Sequence, residues 1–218
     1  LGLMAPVAAN ADTAFSSTTT LSGSAYFTTG SVDAGTGNAN EEMYMQYAYG
    51  LDVDSSFTGE DLLHVGIEAG NSTAGAPLDE MDSAINTGDG LRVASMFYAF
   101  PVGDVEVTVG PKLLQDDVLA ATTSAYSDDF RLGAMPYSQA GDEEGPGLAV
   151  AWSNDNGIVA SASFIAVGGA DSTKGIGGDN SDDVTTVTLG YNGDGFGGGL
   201  VIASNDGEGG TAGYDTFG

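Results

Sequence analysis

Cysteine is absent from this 218-residue chain, Lys and Arg together number four against 31 Asp and Glu, and there is a single His. Without cysteine there is no disulfide framework, although that lack does not choose a compartment, since the outer membrane and many others accommodate it. A formal net charge of −27 leaves nothing to neutralise phosphates, which excludes nucleic acid as a partner. Catalytic signatures are missing as well: there is no Gly-x-Ser-x-Gly elbow, no phosphate loop with its Lys, and no His cluster. Neither an enzymatic role nor a cofactor is expected. Long hydrophobic runs are also lacking, and no stretch approaches the ~18 to 20 apolar residues of a transmembrane helix. If the chain lies in a membrane, it crosses as strands.

What the chain does have is 35 Gly, 41 % hydrophobic residues and a regular alternation. A charge of −27 often accompanies disorder, but here apolar residues interrupt the acids at a spacing that a disordered chain has no reason to keep. Residues 1–11, LGLMAPVAANA, read as the end of a signal peptide, the alternative being a loose apolar N-terminus. Ala9-Asn10-Ala11 is the small-x-small pattern that precedes cleavage, here after Ala11. Residues 12–218 then form one domain.

Period-two alternation predicts the strands. The first runs from Phe15 to Thr29, with Leu21, Gly23, Ala25 and Phe27 opposite Thr18, Thr20, Ser22 and Ser24. Met43 to Phe57 is the second, with Met43, Met45, Tyr47, Tyr49, Leu51 and Val53 on one face and Gln46, Asp52 and Asp54 on the other. Leu62 to Asn71 places Leu63, Val65, Ile67 and Ala69 opposite His64 and Glu68. Leu91 to Phe100 makes a fourth, and Val105, Val107 and Val109 mark a fifth, with Glu106, Thr108 and Lys112 opposite. Leu148, Val150 and Trp152 mark a sixth, Ile158 to Gly168 a seventh, Thr185 to Tyr191 an eighth, and Phe196 to Asn205 a ninth. A tenth begins at Tyr214.

Joints near residues 58, 101, 154 and 192 are about four residues long, whereas those at 30–41, 72–90, 113–145, 169–183 and 206–213 run from eight to thirty-three. Short and long alternate, as periplasmic turns and extracellular loops do in an up-and-down outer-membrane barrel. The fold expected is all-β, an antiparallel up-and-down transmembrane β-barrel that is partial, about nine strands plus the start of a tenth. The strand faces then separate a lipid side from a water-filled lumen. Asp52, Asp54, His64, Glu68, Arg92, Glu106 and Lys112 fall on the expected lumen wall, where an excess of acids favours cations. Arg92 and Lys112 alternatively form a local constriction. His64 and Glu68 share a face but are too few to hold a metal. The 113–145 segment is long enough to fold inward and narrow the pore, with Leu113 to Ala121 as a short helical turn, or else to remain an exposed loop. Of the 31 acids, 19 lie in the five long segments, where they keep a water-facing surface soluble or attract divalent cations.

Three stretches carry a resemblance: FSSTTTLSGSAYF (Phe15 to Phe27), SSFTGEDLLHVGIEAGN (Ser55 to Asn71) and MFYAFPVGDVEVTVGP (Met96 to Pro111). They resemble the corresponding stretches of cyanobacterial outer-membrane porins, relatives of the OprB-type carbohydrate-selective porins, some of them described as iron uptake porins. The resemblance runs from about Phe15 to the end and implies the N-terminal part of a barrel. Its implied function is passive diffusion of small hydrophilic solutes or ions, carbohydrates and iron among them, across the cell outer membrane. Outer-membrane lipid is the implied surrounding partner, with a homo-oligomer left open. The surface-layer homology domain that such proteins carry ahead of the barrel has no counterpart in Asp12 to Ala14, and closure is expected to need further sequence, another chain, or a contracted and rearranged sheet. The competing expectation is an exported acidic β-rich surface or adhesion protein without channel activity.

Overall fold

A computed structural model describes residues 18–31, 42–74, 76, 78, 84–121, 143–207 and 212–218. The expected leader over 1–11 lies outside them, as does 122–142 of the long central segment. The described strands are β1 (Thr19–Gly30), β2 (Tyr44–Ser55), β3 (Leu62–Gly70), β4 (Arg92–Val102), β5 (Val105–Leu114), β6 (Glu144–Ser153), β7 (Ile158–Val167), β8 (Asp182–Gly193), β9 (Phe196–Asn205) and β10 (Tyr214–Phe217). Between β5 and β6 lies a 3-10 turn, Asp116–Val118. The strands form one ten-stranded antiparallel sheet in the order β1 through β10, each beside its sequence neighbour. That order establishes the all-β, up-and-down part of the expectation. Closure into a barrel is a further matter, because the order is linear with β1 and β10 at its ends. Among the described residues no helix is long and apolar enough to cross a membrane.

The short joints follow from local chemistry. In Asn154-Asp155-Asn156-Gly157 the Asn154 side chain accepts from the Asn156 and Ile158 amides at 3.0 and 2.9 Å, and Gly157 takes φ 83°, a conformation costly for residues with a Cβ. Gly195 does the same at the β8–β9 turn with φ 93°.

The chain divides into two compact units. The first holds β1, β2 and the stretch from His64 to Ala94. In it, β1 and β2 pair so that Leu21–Val53, Gly23–Leu51, Ala25–Tyr49 and Phe27–Tyr47 share one face, while Thr20–Asp54, Ser22–Asp52 and Thr28–Gln46 share the other. The polar face is the covered one at the Gly30 end. Gln46 Nε2 donates to the Leu78 carbonyl at 3.0 Å, the Leu78 amide donates to the Tyr44 hydroxyl at 2.6 Å, and Thr28, Gln46 and Leu78 are all buried.

The second unit holds β5 to β10, the Ser95 end of β4 and the Phe57–Leu63 turn. Its register aligns side chains in rows. One face carries Val102, Val105, Trp152, Ala160, Leu189 and Leu200, and beside them Phe100, Val107, Val150, Ala162, Val187, Ile202 and Phe217. The opposite face carries Glu106, Ala151, Ser161, Thr188 and Val201, and beside them Thr108, Ala149, Ser163, Thr186 and Ala203.

The covered face of this unit buries Val159, Ile165, Val184 and Val201 together with many small and hydroxyl residues, while the larger apolar rows lie on the open face. Ser161, Ser163, Thr186, Thr188, Ala149 and Ala203 are buried, whereas Leu200, Ile202 and Leu189 are 64, 58 and 55 % exposed. Fully burying one such side chain is worth about 1.5–3 kcal/mol, so rows of them open to water are a large unpaid term. Soluble monomers rarely keep a contiguous apolar patch above a few hundred Å².

Two register shifts, between Met96 and Tyr98 on β4 and between Gly110 and Leu113 on β5, mark a β-bulge in β5. The bulge overturns one expected placement. Lys112 comes into register with Met96, which is in phase with Tyr98 and Phe100, so it leaves the face of Glu106 and Thr108. The same extra residue turns Leu113 onto the small-residue face, in register with Gly145, and sends the chain across that face rather than along the sheet.

Candidate functional site

On the polar face of the first unit, β2 offers two carboxylates at alternate positions, Asp52 and Asp54. His64 lies between them, with Nδ1 2.7 Å from Asp54 Oδ1 and Nε2 3.9 Å from Asp52 Oδ1. A carboxylate only accepts, so the short contact requires the proton on Nδ1 and fixes the ring's orientation. Glu68, two positions further along that face from Gly66, is engaged by Arg92 through the guanidinium Nε and Nη2. His64 and Glu68 are thus each paired with something else. Among the described residues no group of three or more His, Cys, Asp or Glu could hold a metal ion.

Glu106 stands exposed on the small-residue face of the second unit, as its alternation predicts. Lys112, carried to the other face by the bulge, pairs with Glu144 at 2.9 Å. Of the seven residues singled out in the sequence, the structure joins Asp52, Asp54 and His64 in one group and Glu68 with Arg92 in another, and it keeps Glu106 and Lys112 on opposite faces.

The chain after the bulge is the more informative site. The 3-10 turn lies on the small-residue face: Leu113 and Val118 pack with Ala149, Ile165 and Phe97, and Leu119 packs with Val201 and Ala203. Gln115 is fully buried, and its Nε2 donates to Thr186 Oγ1. The Ala120 amide donates to Ser161 Oγ at 2.9 Å, and that hydroxyl shares a hydrogen bond with Thr188 Oγ1 at 2.6 Å. Serine and threonine on the wall therefore take up backbone and amide groups of a segment that forms no ladder of its own. Gln115 Oε1 and Ser163 Oγ stay buried without a protein partner at this junction, the kind of atoms that internal water satisfies.

Glycine makes the fit possible. A Cβ on Gly190 would meet the Ala121 methyl at 2.5 Å, and one on Gly199 would meet it at 2.8 Å. Those two glycines are cross-strand partners, so together they form a socket for one methyl group. With Gln115 and Val118 turned to the wall, Asp116 and Asp117 are left exposed, and the Asp117 amide donates to Asp116 Oδ1 at 3.1 Å. Over Leu113 to Ala121 the segment lies against one face of the sheet and contains the short helical turn expected there, while 122–142 lies outside the described residues.

A second feature escaped sequence reading. Asp61 closes the β2–β3 joint: its Oδ1 accepts from the Phe57 and Thr58 amides at 3.0 and 2.7 Å and from the Thr58 hydroxyl at 2.7 Å, and its Oδ2 accepts from the Tyr98 hydroxyl at 2.6 Å. Tyr98 also lies 5.5 Å from Phe100 and 6.3 Å from Phe57, ring centre to ring centre. Tyr191 and Phe196 form another such pair, at 5.2 Å, flanking the β8–β9 turn. Aromatic side chains therefore gather where the short joints are. The Thr-Gly-Glu-Asp sequence signals the turn, but not the tyrosine that reaches it from β4.

Compared with family models, with curated proteins and with solved structures, the chain matches none of them.

Proposed function

We propose that this chain forms part of the wall of an outer-membrane β-barrel porin, a water-filled channel for passive diffusion of small hydrophilic solutes or ions. The observation that carries this reading is the open apolar face of the second unit, where leucine, isoleucine and valine rows stay exposed while the other face covers serine, threonine and alanine along with Val159, Ile165, Val184 and Val201. In hydrocarbon the open apolar rows are the satisfied ones, and every backbone polar group must be bonded within the sheet. The β4 to β9 strands have 10 to 12 residues, enough for the ~9–11 that a tilted spanning strand needs. Aromatic pairs at the short joints, Tyr98 with Phe100 and Tyr191 with Phe196, suit a membrane–water interface, where a ring is apolar and its hydroxyl wet.

On this reading the face holding His64, Asp52 and Asp54 and the face holding Glu106 and the docked turn are the water-lined ones. Carboxylates stay hydrated there at little cost, and solute passage needs no chemical step. The test is refolding of the chain into detergent, followed by heat-dependent migration on a denaturing gel and conductance in planar bilayers. Folded material that migrates differently from the boiled form and conducts in discrete steps supports a porin. A protein that stays monodisperse without detergent and opens no channel points instead to an exported acidic surface protein.

A further inference from the structure

The β7–β8 connection and the chain leaving β9 meet around a carboxylate whose bonding is incomplete. We propose that Asp183 and Asp206 bind a divalent cation there, Ca²⁺ in preference to Mg²⁺, and that the ion ties the connection to the end of β9. Such a site needs only the folded second unit, whether or not the chain conducts.

Asp183 is the second residue of β8, in register with the fully buried Ala166 on β7, and is itself only 5 % exposed. Its Oδ1 accepts from Ser181 Oγ at 2.7 Å, and the Gly177 amide also bonds the carboxyl group, yet Oδ2 is buried with no hydrogen-bond partner. An ionised carboxylate offers about four acceptor sites on its two oxygens, and leaving one oxygen dry and unbonded is costly. The buried oxygen therefore calls for a positive partner.

The chain itself brings up more negative charge instead. Pairing of Val184 with Asn205 puts Asp206 opposite Asp183, where the Asp206 amide donates to the Asp183 carbonyl at 3.2 Å and the Asp183 amide donates to Asp206 Oδ1 at 2.8 Å. Like charges directly opposite destabilise a sheet. The charged groups that act on Asp183 are Asp182 and Asp206, both acids, and Asp182 lies on the other face, towards Tyr214. Asp206 is exposed, so an ion can reach the pair from water. Among the described residues no third His, Cys, Asp or Glu completes a cage, which leaves the remaining positions to Ser181 Oγ and water. Ca²⁺ takes six to eight oxygens in flexible geometry, whereas Mg²⁺ demands a strict octahedron and dehydrates reluctantly, so a ligand as buried as Asp183 favours Ca²⁺. With only two carboxylates the dissociation constant belongs at about 10⁻⁴ to 10⁻³ M.

The experiment titrates CaCl₂ and MgCl₂ calorimetrically, at constant ionic strength, into the full chain refolded in detergent and into D206N, D183N/D206N and D155N/D194N, the last of which removes two exposed acids from the short turns. We expect Ca²⁺ to bind the unmodified chain with a dissociation constant of about 1 mM or below and Mg²⁺ to bind more weakly. Ca²⁺ affinity should fall at least about tenfold in D206N, vanish in D183N/D206N and stay unchanged in D155N/D194N. At about ten times the dissociation constant, Ca²⁺ should raise the folded-to-unfolded ratio about tenfold over EDTA in the unmodified chain and in D155N/D194N alone. D206N keeps an oxygen to accept from the Asp183 amide, so it carries the test even where the double variant does not fold. Equal Ca²⁺ affinity in D206N and the unmodified chain would trace binding to diffuse attraction by a net charge of −27 and overturn the inference. Absence of Ca²⁺ binding to the unmodified chain would mean that a proton, not a metal, accompanies the Asp183 carboxyl, and overturns it equally. Conductance, measured separately, decides the porin reading and has no bearing on either result.

Discussion

Gly199 to Ala is the sharpest probe of the docked turn. The added methyl would sit 2.8 Å from the Ala121 Cβ, while its other neighbours, the Leu189 carbonyl at 3.3 Å and the Gly190 Cα at 3.5 Å, require little adjustment. Carbon atoms prefer about 3.5–4.0 Å, so the turn must retreat by about 1 Å or the strands must part. Overpacking of this kind costs about 1–3 kcal/mol. Ala121→Gly alone costs about 1 kcal/mol, from one lost methyl contact and greater chain freedom. In the double variant the new methyl occupies the space the old one leaves, so the two losses do not add, and the coupling should be about 1–2 kcal/mol in favour of the pair. Urea unfolding of the four proteins refolded in the same detergent measures it. Additivity within about 0.5 kcal/mol would show that Ala121 does not occupy the glycine socket in solution.

Three further outcomes are expected. Asp61→Ala strands the Phe57 and Thr58 amides and the Tyr98 hydroxyl at a part-buried turn, and should cost about 2–3 kcal/mol in urea unfolding, against about 1 kcal/mol for Tyr98→Phe; equal losses would mean that only the tyrosine bond matters. Trp152, the only tryptophan, lies in an apolar row, so brominated lipid should quench its fluorescence strongly in vesicles; quenching by aqueous iodide instead would place that face in water. In the β7–β8 connection the Thr173 amide and hydroxyl, with Lys174 adding a smaller attraction, hold the Asp171 carboxyl below the usual carboxylate range. A depressed folded pKa means that this turn's order is present at neutral pH and is lost as pH falls through that lowered value. The Thr173 amide should lose hydrogen-exchange protection there, and a loss that instead sets in on the alkaline side of neutrality would contradict the assignment.

Alternation was enough to place most strands, because a half-buried strand writes its two environments into odd and even positions. Ile158 after Gly157 and Phe196 after Gly195 begin their strands where the turn chemistry ends, and β9 spans Phe196–Asn205 as alternation predicts. The ends of β5 and β6 were not legible. Gly110 and Pro111 carry no periodic signal, and Glu144 to Gly147 becomes a strand through pairing with β5, where Glu144 and Gly145 face Leu114 and Leu113 beyond the bulge. The same bulge misled the parity argument for Lys112, since one extra residue exchanges the faces for everything beyond it. His64 between Asp52 and Asp54 follows from parity on adjacent strands, which is local information. Gln115 does not: its burial depends on Thr186, 71 residues away, and nothing near it in sequence announces that wall.

The socket also orders events in time. The turn leaves the ribosome before the strands that receive it: Gln115 waits for Thr186, and Ala121 for Gly190 and Gly199 on two later strands. Ala149 on β6 and Ile165 and Ser161 on β7 can receive part of the segment earlier, but the Gln115 and Ala121 anchors close only after the β8–β9 hairpin has zipped, so full docking is a late, non-local step of high loop-closure cost. The buried Ser, Thr and Ala of this face therefore keep their full cover only once the last of the receiving strands has paired, however early the strands that carry them have formed.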